Sequence, residues 1–235
     1  MATEVVGRTG VRRTASFVAL VALVAGCSGD NGKSESGERE ELVQPGQVCG
    51  GLLGKKAAAS LERFYVGDLH EPSRFKPGEA SRELKEGSGE SIRCTFYNDN
   101  ARTPANLSFR VKEENPKAKH FDYRQGKVYE YDIGKVAYTA DRVSNDYAGG
   151  PSRYVSGLIV VSCPVGESRV NRLRSAAWFP DHPKDNARLG ISAKKETSEA
   201  VMEIILSASR HMAKELGCLE DTGLPGKVPK PSEVP

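Results

Sequence analysis

The spacing of the cysteines is the feature that most constrains how this chain can fold. They stand at positions 27, 49, 94, 163 and 218 of 235 residues. The last four are at least 45 residues apart, whereas a zinc site is usually built on a close pair such as C-x₂-C. The spacing therefore disfavours a metal site and leaves disulfides or free thiols, and the redox compartment of the chain decides between these two.

The N-terminus has the parts of an export signal. Arg8, Arg12 and Arg13 give it a positive start, and Ala15 to Ala25 (ASFVALVALVA) is an uncharged run of 11 residues. As a helix this run spans about 16 Å, roughly half the hydrocarbon thickness of a bilayer. It is too short for a stable transmembrane helix but has the length of a signal-peptide h-region. We therefore expect residues 1–26 to be a signal peptide of a secreted protein.

Residues 23–27 (LVAGC) resemble the lipobox of bacterial lipoproteins. The resemblance implies that the thiol of Cys27 receives a diacylglyceryl group and that the Gly26–Cys27 bond is cleaved. It also implies that the new amine is often acylated, as by palmitate. Two or more acyl chains make a stable membrane anchor, at about 0.8 kcal/mol per buried CH₂. Both export routes stay open, although small residues follow Arg12-Arg13 where a twin-arginine signal usually has large apolar ones.

Composition changes on either side of a central region. Ser28 to Gly46 (SGDNGKSESGEREELVQPG) is rich in glycine, serine and acids, so residues 27–46 are predicted to be a disordered tether with a reach of about 25 Å. Residues 221–235 hold four of the 13 prolines and are predicted to be a flexible tail. Residues 47–220 have the size of one globular domain. The net charge of +3 is too small to indicate nucleic-acid binding.

The central region combines helical and strand patterns. One apolar stripe at helical spacing predicts a long C-terminal helix, and it comprises Val201, Ile204, Ile205, Ala208, Met212 and Leu216. A shorter N-terminal helix is predicted over Lys55 to Tyr65. Runs rich in β-branched and aromatic residues predict strands, and these cover Ile92 to Tyr97, Leu107 to Lys112, Val128 to Ile133, Lys135 to Ala140, Arg153 to Ser162 and Leu173 to Phe179.

The order of these elements predicts the fold class. A helix, several strands and a final helix argue for a single α+β domain with a mostly antiparallel sheet, packed by the N-terminal and the longer C-terminal helix. Arg153 to Ser162 is the most apolar segment after the signal and is predicted to be a central strand. Gly134 separates two short runs and predicts a hairpin, and Pro180 is expected to end the last strand.

Without Cys27, an even number of cysteines remains for the exported domain, namely Cys49, Cys94, Cys163 and Cys218. An even count outside the cytoplasm indicates two disulfides. Three connectivities are possible, and we favour Cys49–Cys94 with Cys163–Cys218, because each bond would tie a helix end to a strand. Each would close a loop of roughly 45–55 residues, which is worth about 4 kcal/mol in the chain-entropy model.

The sequence lacks the common motifs of catalysis, apart from two isolated S-x-x-K matches, Ser73 to Lys76 and Ser192 to Lys195, that no S-D-N or K-T-G element follows. It contains no H-E-x-x-H, no Walker A, no G-x-G-x-x-G after a strand and no G-x-S-x-G. None of the four histidines lies within helical spacing of another. We therefore predict no catalytic residue, no metal site and no cofactor.

The tyrosines are concentrated in one part of the chain, where six of the eight fall within 32 residues. A tyrosine has an apolar ring and a polar tip, which suits interfaces and sugar-like ligands. Aromatic residues are also favoured in strands, where the same rings would cover the core. The candidate binding surface consists of Tyr129, Tyr131, Tyr138, Tyr147 and Tyr154.

These observations predict a lipid-anchored, extracytoplasmic binding module on the outer face of the cell membrane. Residues 48–53 (VCGGLL) and 215–218 (ELGC) resemble segments of small actinobacterial cell-surface lipoproteins, which implies a tethered α+β domain. The expected partners are the membrane, through the lipid on Cys27, and an envelope protein or glycan, but not nucleic acid. The alternative is an envelope-associated hydrolase whose site is assembled from scattered residues.

Overall fold

A seven-stranded antiparallel sheet forms the centre of the structure, a computed structural model that describes residues 41–65, 67–87, 90–99, 104–113, 127–144, 152–165, 171–181 and 195–234. The strands in this part of the chain are β1 (Glu41–Val43), β2 (Leu69–Glu71), β3 (Ile92–Phe96), β4 (Ala105–Glu113), β5 (Val128–Glu130), β6 (Val136–Ser144), β7 (Ser152–Ser162), β8 (Asn171–Asp181) and β9 (Ser232–Val234). The helices are α1 (Val48–Gly51), α2 (Lys55–Leu61), α3 (Pro77–Glu86), α4 (Lys195–Leu216) and α5 (Leu219–Thr222). These elements confirm the predicted α+β class.

The strand order of the large sheet is β3-β4-β8-β7-β6-β5-β9, and neighbouring strands are antiparallel. The predicted central strand is confirmed, because β7 is the fourth of the seven. The predicted hairpin is also confirmed, since β5 and β6 pair on either side of Gly134, which has φ +58°. A Cβ at Gly134 would lie 2.5 Å from Cγ1 of Val161, so both the turn and the packing require glycine there.

Side chains alternate between the two faces of this sheet, and α4 packs against one of them, which we call the first face. On β8, Leu173, Ala177 and Phe179 belong to the main core beneath α4. Ala176 lies in a separate apolar cluster on the opposite side, which we call the second face. Helix α4 contacts β6, β7 and β8, and α2 and α3 pack against α4. These helices therefore cover the first face.

The long helix confirms the amphipathic pattern in the sequence. All six residues of the predicted stripe are buried in the main core. The helix sits close to the middle of β7, because Gly157 has no side chain and leaves room for Val201 and Ile205. Neither α4, at 22 residues, nor another helix in the described ranges combines the length and hydropathy of a membrane span.

The last large strand is longer than predicted. We expected Pro180 to end it, but β8 continues to Asp181. The ladder between β4 and β8 ends at Asn106 and Trp178, so at Pro180 the described pairing is with Tyr154 of β7 alone. Proline has no N–H to donate. It is tolerated where a strand extends beyond its neighbour on one side, because no hydrogen bond to that neighbour is lost there.

The N-terminal half contains two helices that the apolar pattern did not predict, the single turn α1 and the longer α3, and one helix that is shorter than predicted. Helix α2 ends at Leu61, four residues before the predicted end, and the chain continues in turns to Tyr65. Helix α3 was not expected, although Pro77 stands at its first position and Gly87 ends it with φ +79°. Both are ordinary helix boundary signals.

The predicted tether ends earlier than expected. Residues 41–46 were assigned to it, but Glu41–Val43 pairs with Leu69–Glu71 in a two-stranded sheet. Val43 is buried in the main core, which gives this segment the apolar burial that a disordered tether lacks.

The prediction of a flexible tail is wrong for residues 221–234. Arg210 on α4 donates hydrogen bonds to the carbonyl oxygens of Leu224 and Pro225, at 2.7 and 3.0 Å. Leu224 is buried in the main core, and Ser232–Val234 pairs with β5 at the edge of the sheet. A proline-rich segment has few backbone donors of its own, but its carbonyl groups accept hydrogen bonds from this arginine.

Candidate functional site

The first disulfide holds an irregular turn against the sheet. Cys49 and Cys94 are bonded, and both side chains are buried. Cys49 has a positive φ of 56° and Gly50 follows with 65°. A Cβ on Gly50 would lie 2.5 Å from the carbonyl oxygen of Phe75, so this turn packs directly on the chain before α3. The predicted pairing of Cys49 with Cys94 is confirmed.

A buried carboxylate supports the same turn. Glu71 is 3% exposed. Its two oxygens accept hydrogen bonds from the backbone N–H of Cys49, at 3.0 Å, and of Phe75, at 2.7 Å. A buried carboxylate is tolerated when its oxygens are hydrogen-bonded in this way. Sequence reasoning missed Glu71, because nothing in its neighbourhood distinguishes it from a solvent-exposed acid.

The second disulfide joins the centre of the sheet to the end of the long helix. Cys163 follows β7 and Cys218 follows α4, and the two are bonded and buried. The predicted connectivity is therefore confirmed in full. Cys27 and Gly26, the predicted lipidation and cleavage residues, lie outside the described residues.

The predicted tyrosine surface is wrong for three of its members. Tyr129, Tyr131 and Tyr138 are buried, the first two in the main core and the third in the apolar cluster of the second face. Tyr154 is partly exposed, and Tyr147 lies outside the described residues. The rings are divided between both faces because successive residues of a strand point in opposite directions. Tyr129, Tyr131 and Tyr138 therefore cover the core and are not available as one binding surface.

Burial of two phenols predicts a sensitivity to alkaline pH. Burial raises the pKa of Tyr65 and Tyr131 above the ordinary value. The unfolded phenol ionises near pH 10, so this contribution to stability is complete below that pH and is lost as the pH rises further. We expect the free energy of unfolding to fall by about 1.4 kcal/mol per pH unit per tyrosine above about pH 10.

Urea unfolding of the wild type and of Tyr65→Phe at about pH 8 and about pH 11 checks this expectation. The hydroxyl of Tyr65 has no hydrogen-bond partner among the described residues, so the variant should keep its stability at the lower pH. It should lose less than the wild type at the higher pH. Equal losses in the two proteins would contradict the assignment to Tyr65.

A histidine and an aspartate lie together beside the end of β3. His70 Nε2 is 2.6 Å from Asp99 Oδ1, and the ring of His70 stacks on Tyr97 at 5.2 Å between centroids. Such a pair can position a general base, but the Asp99 side chain is 86% exposed, whereas that of His70 is 17% exposed, so solvent screens the carboxylate that would position the ring. His70 and Tyr97 also exchange backbone hydrogen bonds. We therefore interpret this cluster as the connection between β2 and β3.

Two pairs of cations face each other on β4 and β8. Arg110 is opposite Arg174, and Lys112 is opposite Arg172. The pairs are two residues apart on each strand, so the four side chains share one face. It is the second face, because Arg174 is two residues from Ala176 of its apolar cluster. We call these four residues the basic block, and strand geometry places their Cβ atoms within about 5 by 7 Å.

The basic block is accessible, in contrast to the apolar centre of the same face. Lys112 is exposed and the three arginines are partly exposed. The centre is buried and consists of Val128, Tyr138, Ala140, Leu158, Val160 and Ala176. Nε of Arg110 is buried and has no hydrogen-bond partner among the described residues. Sequence reasoning missed this block, although R-V-K and R-L-R each alternate basic and apolar residues as a two-faced strand does.

The described residues hold no group of three or more His, Cys, Asp or Glu side chains that could bind a metal ion. The four cysteines of this region are bonded in pairs and are therefore not available as thiolate ligands.

Comparisons with known proteins provide no relative for this chain. No protein-family model matches it, and neither the curated proteins nor the solved structures give a significant match. A proposal about its function therefore depends on its own residues.

Proposed function

We propose that this chain is a lipid-anchored binding module on the extracytoplasmic face of the cell membrane, held there through Cys27. The observation that carries the proposal is the pairing of the other four cysteines in two buried disulfides. Structural disulfides persist in oxidising compartments outside the cytoplasm. The fifth cysteine is the one that stands at the end of the lipobox-like segment.

The distribution of charge on the sheet supports binding over catalysis. The helices cover the first face, and the second face carries the basic block at its accessible end. The block places two cations of β4 directly opposite two cations of β8. An arrangement of this kind is typical of a surface that meets an anionic partner.

Replacement of Cys27 tests the anchor. In Cys27→Ala we expect the precursor to stay uncut or the protein to be released, because two acyl chains are needed for a stable anchor. The measurement is the distribution of the chain between membrane and soluble fractions, together with the mass of its N-terminus. Ser28→Ala is the matched control and should behave as the wild type. Normal processing and membrane retention of Cys27→Ala would contradict the proposal.

A further inference from the structure

An exposed leucine lies on the same side of the molecule as the basic block. Leu42 is 60% exposed and pairs with His70 in the small sheet. His70 in turn pairs with Tyr97, which extends β3. Partners in an antiparallel ladder point to the same side, and Tyr97 is four residues from Arg93, which also shares that side. The small sheet thus continues the second face beyond β3.

The second face is strongly cationic in the strands that lie nearest to Leu42. Arg93 is opposite Ser108 of β4, and the basic block follows on β4 and β8. Among the described strand residues, Glu130 is the one carboxylate that the register places on this face, and it lies on β5, toward the other edge. Five cations outnumber the carboxylates of Glu130 and of Asp99, which lies beside His70, and give this half of the face a positive potential.

The position of this face relative to the start of the fold matters, because only 13 residues separate Cys27 from Glu41. Even when fully extended, they span about 50 Å at most. A lipid on Cys27 would therefore keep the small sheet, and Leu42 within it, no more than about 50 Å from the headgroups, so the domain meets them repeatedly. Cations that approach a membrane with anionic lipids are attracted to it within about one Debye length, near 10 Å in 0.1 M salt.

We propose that the second face docks on the anionic headgroups of the membrane that holds the lipid anchor. Arg93 and the basic block contact the phosphates, and Leu42 enters the same interface near the opposite end of β4, about 20 Å from the block along the strands. This inference rests on the proposed function, since the anchor brings the surface within reach. Arginine suits the role because its planar group binds phosphate through two donors. Docking would orient the domain so that α4 and the first face are turned away from the lipid.

The single tryptophan of the chain offers a direct probe. Trp178 lies on β8, two strand positions beyond Ala176, and is partly buried at the edge of the apolar cluster of this face. The experiment uses the full chain with Cys27→Ser, so that no acyl chain contributes to binding. Vesicles of pure phosphatidylcholine and vesicles with about one third phosphatidylglycerol are added, and Trp178 emission and co-sedimentation are measured. Neutral vesicles report the background from the apolar N-terminal segment, and the variants of the basic block, which keep Arg8, Arg12 and Arg13, report what those arginines add on anionic vesicles.

We expect binding above this background to the anionic vesicles only, with a change in Trp178 emission that about 1 M salt reverses. Arg110→Gln with Arg172→Gln should weaken the partition coefficient about 25-fold, at about fivefold per cation. Arg82→Gln removes an exposed arginine from α3 and should leave binding unchanged. If the first double variant does not fold, Arg93→Gln with Lys112→Gln, at two exposed positions, replaces it.

Three results would overturn the inference. These are equal binding to both kinds of vesicle, wild-type binding by the block variants, and binding of soluble polyphosphate in the absence of vesicle binding. The last would assign the surface to a soluble anion. The vesicle experiment does not depend on lipidation, because Cys27 is replaced in the protein that it uses. A failure of the proposed lipid anchor would be seen only in the fractionation of Cys27→Ala.

Discussion

Replacing Cys163 and Cys218 together by alanine is expected to lower the free energy of unfolding by about 4 kcal/mol. The bond closes a sequence separation of 55 residues, and opening it returns that loop entropy to the unfolded chain. The bond also holds two elements of the folded structure together. The bond joins the end of the central strand β7 to Cys218, two residues beyond the end of α4, and the apolar side of α4 covers the first face. Urea unfolding monitored by Trp178 emission gives the difference.

Two comparisons separate loop entropy from packing in this prediction. Reduction of the Cys49→Ala, Cys94→Ala variant under native conditions opens only the loop between Cys163 and Cys218 and keeps its buried sulfur atoms, so it should cost that variant nearly as much stability as the alanine substitutions at Cys163 and Cys218 cost the wild type. Cys49→Ala with Cys94→Ala opens a separation of 45 residues, and the chain-entropy model predicts about 4 kcal/mol for it as well. A loss below about 1 kcal/mol for either pair would show that the unfolded chain is already constrained there.

The disulfides and the main elements could be predicted because their signals are local. Cys163 stands at the end of a clear strand pattern, and Cys218 stands at the end of a clear helix pattern. A bond between them ties a strand end to a helix end, and few of the possible connectivities do this. Val201 and Ile205 repeat at the spacing of one helix face, and this period does not depend on the rest of the fold. The tail was mispredicted because proline content suggests mobility, whereas the donor that binds it, Arg210, lies on α4.

The candidate surface could not be predicted because it depends on strand order. Each strand alone shows alternation, as in Arg110-Val111-Lys112, but nothing in the sequence states that β4 lies beside β8, about 60 residues later. The tyrosines illustrate the same limit. A period of two predicts that Tyr129 and Tyr131 share a face, yet only the position of α4 decides that this face is buried.

Gly157→Val is expected to lower the free energy of unfolding by about 3 kcal/mol, at the upper end for overpacking of a core. A Cβ at this position would overlap Cδ1 of Ile205 and lie 3.0 Å from Cγ1 of Val201. Both belong to α4, which packs across the centre of the sheet, and Thr139 on β6 closes the third side at 3.4 Å. Because Val201 is short and branched, the helix itself must move to admit the new side chain.

A double-mutant cycle with Ile205→Ala identifies the cause of this loss. Ile205→Ala alone leaves a cavity and should cost about 2–4 kcal/mol. In the double variant the valine methyl groups occupy part of that cavity, so the combined loss should fall short of the sum by about 2 kcal/mol. Gly226→Val is the matched control, because nothing lies within 4 Å of a Cβ there, and its stability should change by less than about 0.5 kcal/mol. Additive losses in the cycle would show that strain within β7, and not contact with α4, makes glycine necessary at this position.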